Sequence, residues 1–171
     1  MQKQLITVDR QQAADRHQQT PDPIWSDLGQ LARVELTSED AGHPIESALF
    51  GGDGPGWRAS EPGEQSIRLF FSPPLNLHRI RLQFIERQTE RTQEFALRWA
   101  GGNTAGFEEL VRQQYTFSPG GATSEVEDYR VDLAGVTALE LTIIPDQGRD
   151  EACASLAEWR LACLSAGSAA P

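Results

Sequence analysis

Two alternating runs on either side of a Pro-Pro pair limit most tightly what this chain can fold into. Residues 64–71 read Glu-Gln-Ser-Ile-Arg-Leu-Phe-Phe and residues 78–85 read His-Arg-Ile-Arg-Leu-Gln-Phe-Ile, with Pro73 and Pro74 between them. In the second run Ile80, Leu82 and Phe84 share one parity, and Arg79, Arg81 and Gln83 take the other. Successive side chains of a strand point to opposite faces, so this run is a strand with one buried and one wet face. Proline cannot donate to a strand ladder, so the pair predicts a turn between two antiparallel strands.

The same period recurs along the chain. Ala32–Ser38 alternates, as do Phe95–Trp99, Tyr129–Leu133, Leu139–Ile143 and Ala157–Leu161. Residues 107–117 mix periods and read as a short helix with a strand. Gly and Pro punctuate 51–56 at nearly every position, which excludes regular structure there. No helical pattern exceeds about ten residues. About eight short strands with turn signals between them predict an all-β, antiparallel sandwich or jelly roll over residues 25–163. A polar, Gln-rich arm over 1–24 precedes it, and a small-residue tail over 164–171 follows. The arm is a candidate contact for a homo-oligomer.

Charge and hydropathy exclude several functions. The net charge is −10, from 25 acidic and 15 basic residues, and no basic patch suits nucleic acid or an anionic membrane. No apolar run approaches the ~18 residues of a spanning helix. The first ten residues lack the apolar stretch of a secretory signal, which favours the cytoplasm. Cys153 and Cys163 are the only cysteines. At the ends of one strand they would lie about 33 Å apart, too far for a disulfide, so both are expected as free thiols. Neither a CxxC pair nor a Cys/His cluster suggests zinc. A nucleophile elbow, an HExxH and a phosphate loop are all missing, so no catalytic role is expected.

Several stretches resemble the discoidin family, the galactose-binding-like jelly roll of coagulation-factor C domains and bacterial carbohydrate-binding modules. They are Val34–Ser38, His43–Leu49, the Gly51–Ala59 loop with its Asp-Gly and Trp57, Gln65–Phe71 with Leu77–Phe84 as a central hairpin, and Ala154–Trp159 as a closing strand. The resemblance covers roughly residues 30–162. It implies a binding module whose ligand is carbohydrate. The alternative is an intracellular protein-interaction adaptor, since discoidin-like folds also serve in such assemblies.

The resemblance also implies where a ligand sits: in loops at one end of the sandwich. In chain order these are 39–44, 86–92 and 145–153, holding His43, Arg87, Arg91, Asp146 and Arg149. Arg and Asp supply the paired hydrogen bonds that sugar hydroxyls need. The competing reading is that each is a solvated loop charge, and these loops carry no aromatic platform. Trp57, Trp99 and Trp159 stand at core parity. His78 reads as a surface residue, and His17 lies in the arm.

The family's structural calcium would fall on the glycine loop, with Asp53 as one ligand and Glu158 closing the site. Two carboxylates plus carbonyls are few for an ion that takes 6–8 oxygens. The expectation is therefore no cofactor: a tight glycine turn that holds its shape through a hydrogen bond to Glu158.

Overall fold

The protein is described by a computed structural model over residues 23–164. The expectations for the 1–24 arm, apart from its last two residues, and for the tail beyond Leu164 lie outside that range. Within it the order is α1 (Leu28–Leu31), β1 (Ala32–Leu36), α2 (Glu46–Leu49), β2 (Trp57–Pro62), β3 (Gln65–Ile85), β4 (Arg91–Gly101), β5 (Glu108–Phe117), β6 (Ser124–Ile144), β7 (Cys153–Leu156) and β8 (Glu158–Cys163). All sheet pairings are antiparallel.

The Pro-Pro pair makes no turn. β3 is one strand of 21 residues that runs through Pro73 and Pro74, with a cis peptide at Ser72–Pro73. The register slips between Phe70 and Arg79, and the buried set changes from Ile67, Leu69 and Phe71 to Ile80, Leu82 and Phe84. A bulge bends a strand and lets its two halves face different ways. The expected central hairpin is therefore a bent strand. β6 does the same over its own 21 residues, joining two runs that the sequence predicts as separate strands. Its bend lies at Gly135, whose φ of 65° is a glycine conformation and whose N–H donates to Asn76 Oδ1 at 2.9 Å.

Each half of these two strands serves a different layer. The first half of β3 and the second half of β6 lie with β1, β4 and β5. The second half of β3 pairs with the first half of β6 and with β8. Phe84 of one layer stacks on Phe95 of the other with ring centroids 5.2 Å apart, and Tyr115 and Phe117 of β5 extend this cluster. The result is an antiparallel β-sandwich of jelly-roll type. Residues 107–117 hold no helix: β5 is strand throughout.

Trp57 and Trp159 are buried between the layers, as their parity predicts, whereas Trp99 is half-buried at the margin of the core. His78 is half-buried at the bend of β3. The last expected strand is split. β7 pairs with β2 and β8 pairs with β3, and the chain changes partner at Ala157, whose N–H donates to Gln83 O at 2.9 Å. Both cysteines are free, but they end two strands in two sheets rather than one.

The outer face of the larger layer carries a closed ion cluster. Glu140 of β6 has Arg68 of β3 and Arg98 of β4 as its register partners on either side. Only 2% of it is exposed. Arg68 Nε donates to it at 2.6 Å and Arg98 Nε at 2.8 Å, and Arg98 Nη2 donates as well. The Phe107 ring covers both arginines, with its centroid 5.7 and 5.4 Å from their guanidinium carbons. Burial pushes the Glu140 carboxyl up, but the two arginines outweigh it and hold the group below the usual carboxylate range.

Candidate functional site

Two of the three expected loops meet. The 86–92 connection and the 145–153 connection close on each other at one end of the sandwich. Gln147 N–H donates to Thr92 O at 2.7 Å, and Thr92 N–H donates to Asp146 Oδ1 at 3.2 Å. The first loop is shaped by its own carboxylate, since Glu86 Oε1 accepts from the N–H of Gln88 at 2.8 Å and of Thr89 at 3.2 Å. Arg149 is brought round by a turn in which its N–H donates to Asp146 O at 3.2 Å. Between the loops lies a cleft of about 320 Å³, lined by Arg58, Glu86, Arg91, Asp146, Arg149, Glu151 and neighbouring loop residues.

Arg91 forms the back of this cleft. It is 5% exposed, because it occupies the first inward position of β4, in line with Gln93, Phe95 and Leu97. Its Nη1 donates to Cys153 O at 3.1 Å and its Nη2 to Ser155 Oγ at 3.5 Å, and Nη2 lies 3.4 Å from the Glu86 carboxylate. The guanidinium also faces the Phe117 ring at 5.9 Å. Burial lowers its pKa, while the charges of Glu86 and Asp146 oppose that shift. An arginine keeps its proton through such a change. One planar cation thus ties the 86–92 loop to the strand that follows the other loop, and its buried Nε has no partner among the described residues.

His43 and Arg87 do not line the cleft. His43 Nδ1 lies 2.9 Å from Asp40 Oδ2 within its own loop. That loop is stitched to β2 by Asp40 N–H to Arg58 O at 2.8 Å and Arg58 N–H to His43 O at 3.1 Å. Its effect on the cleft is to set the position of Arg58. Arg87 is exposed beside the cleft. Arg58, Glu86 and Glu151 are lining residues that the loop-by-loop reading misses. For Arg58 a signal was present: Trp57 and Ala59 are buried, so the arginine between them must face outward.

The glycine turn over 51–56 is poorly suited to calcium. Gly51, Gly52 and Gly56 all have positive φ, as the sequence predicts for a tight turn. Glu158 does not hydrogen-bond into it. Its Oε1 lies 3.7 Å from Arg81 Nε and 3.9 Å from Arg160 Nε. Asp53 is exposed. Among the described residues no three His, Cys, Asp or Glu side chains gather as a metal would require. An Arg160 guanidinium packed on Gly51 adds a positive charge where a cation would have to be held.

No family model matches the sequence, and none of the curated proteins matches it. Solved structures do match. A GH29 fucosidase of Ruminococcus gnavus in complex with fucose superposes with a TM-score of 0.60 at 10% identity, over 82% of this chain but only 27% of that one. CBM32-3 from a family 31 glycoside hydrolase of Clostridium perfringens gives 0.59 at 17% identity, over 82% of this chain and 95% of the module. The family 32 CBM of C. perfringens NanJ, in complex with galactose, gives 0.54 at 16% identity, over 82% and 98%. The chain therefore has the fold of the family 32 carbohydrate-binding modules, the galactose-binding-like jelly roll that its residues resemble.

Proposed function

We propose that this protein is a non-catalytic carbohydrate-binding module and that its ligand occupies the cleft between the 86–92 and 145–153 loops. The observation that carries the reading is the cleft itself. Arg58 and Arg149 are exposed there, Asp146 is half-buried, and all three are presented on a frame locked by buried Arg91. Arginines and carboxylates pair with adjacent hydroxyls through two hydrogen bonds each, and a rigid scaffold carrying polar loops is how such a site is built. A volume of about 320 Å³ is at the low end of ligand clefts, which suits a short saccharide. Fold neighbours bound to sugars support the class of ligand.

The charges favour a neutral sugar. Glu86, Glu90, Asp146 and Glu151 line the cleft against Arg58, Arg91 and Arg149, and Arg91 is already paired. The whole chain carries −10, so a uronate meets a repulsive field. The test is a glycan array followed by calorimetric titration of the best neutral hit and of its carboxylated counterpart. Binding of the neutral sugar, weakened by Arg149→Ala and absent for the acid, is expected. An array without a single hit would overturn the reading. It would favour the protein-adaptor alternative, which rests on the lack of an aromatic platform among the cleft residues.

A further inference from the structure

We infer that the turn over residues 51–56 seats a side-chain cation, the Arg160 guanidinium, against Gly51 and takes no metal ion. A methyl group placed on Gly51 would lie 2.5 Å from Arg160 Cζ and 2.9 Å from its Nη1. The guanidinium therefore rests against Gly51, whose φ of 73° already favours glycine. The far end of the turn is just as close to β7. A methyl on Gly56 would lie 2.7 Å from Leu156 O and 3.0 Å from Ala157 Cα. Gly51 thus admits the arginine, and Gly56 admits the strand junction at Ala157, three residues before it. The glycines of this turn are spaced to fit a side chain and a backbone.

Charge points the same way. Arg160 and Arg81 flank Glu158, so the one carboxylate on β8 facing this region is already balanced by two cations. Asp53 is exposed and contributes a single further carboxylate. A divalent ion gains its affinity from the number and charge of its oxygen ligands. Here it would meet a guanidinium of its own sign against Gly51. A guanidinium stays charged at any physiological pH, so its repulsion of a cation persists. Arg160 also borders the cleft of about 580 Å³ beside Phe50, which is 52% exposed.

The test uses the full chain. Melting is followed in millimolar calcium and in chelator, for the wild type and for Arg160→Ala, Arg160→Gln and Arg33→Ala. Arg33 supplies the control because it too is paired, to Glu35, but on an exposed face. The wild type is expected to melt at the same temperature in both solutions. Arg160→Ala and Arg160→Gln should melt several degrees lower in both, and Arg33→Ala should be unchanged. Calcium raising the wild-type midpoint by several degrees, with the rise lost in Asp53→Ala, would overturn the inference. So would Arg160 variants no less stable than Arg33→Ala. If the Arg160 variants do not fold, terbium titration of the wild type decides, with Trp57 as the sensitiser. Emission that calcium displaces would overturn the inference, and its absence would uphold it.

Discussion

Two of the arginine–carboxylate clusters on this sandwich have opposite characters. Around Glu140 every charge has a partner: two arginines close on one carboxylate, a phenylalanine ring covers them, and the carboxylate is lost to solvent. In the cleft, Arg91 alone is buried and tied down, while Arg58, Arg149 and Glu151 face water. The first cluster stands on three neighbouring strands, where register fixes every side chain. The second stands on loops, which connect strands and can differ without disturbing the layers. Composition does not separate them. What does is whether the polar groups are already satisfied, since a satisfied cluster has nothing left to offer a ligand.

The largest expected effect breaks the closed cluster. Glu140→Ala leaves two arginines facing each other on one sheet face. Removing one partner of a buried pair costs about 3–5 kcal/mol, and the partial exposure of both arginines puts this case at the low end. Chemical denaturation should report that loss, and sugar binding should be unaffected. Weakened binding would show that the two clusters are coupled.

Next comes Arg91→Lys, which keeps the charge and loses the fork. A lysine cannot reach Cys153 O, Ser155 Oγ and Glu86 together. Stability should fall by about 1–2 kcal/mol, the worth of hydrogen bonds to a charged group. Sugar affinity should fall with it, as titration calorimetry would record. Retained affinity would mean that Arg91 does not position the loops. Arg149→Ala should do the reverse of Glu140→Ala. An exposed substitution changes stability by less than about 0.5 kcal/mol, while the loss of a charged hydrogen bond lowers affinity roughly tenfold.

The smallest effect concerns pH. Glu140 titrates below its ordinary value in the folded protein. Its contribution is therefore complete above the unfolded carboxylate pKa of about 4.3 and is lost as pH falls through the lower folded value. Wild type and Glu140→Gln should differ most in stability near neutrality and converge in acid. A gap that stays constant with pH would show that shape rather than charge sets the effect of Glu140.

The sequence made the sandwich legible because alternation survives wherever one face is buried, as in Ile80–Phe84 and Phe95–Leu97. It hid the bend in β3. Pro73 and Pro74 look like a turn, and the parity change from Phe71 to Ile80 fits two strands as well as one bent strand. Only pairing with a single long partner distinguishes the cases, and pairing is non-local. The site was half legible for a related reason. Order along the chain marked the loops holding Arg91, Asp146 and Arg149, but which loops meet depends on where β6 ends against β4. His43 lies off this cleft, paired with Asp40 in a loop fastened to β2 by backbone bonds, which a side-chain inventory cannot register.

The bends in β3 and β6 also govern how the molecule comes apart. Each strand is a member of both layers, so neither layer owns a complete set of strands. Opening either layer must pull on backbone that the other layer is using. Regions of a protein open independently only where few bonds cross between them. Amides at the two ends of β3, near Leu69 and near Leu82, should therefore exchange with deuterium through one shared opening. The cleft loops, joined to this frame at their ends, can fluctuate without starting that event.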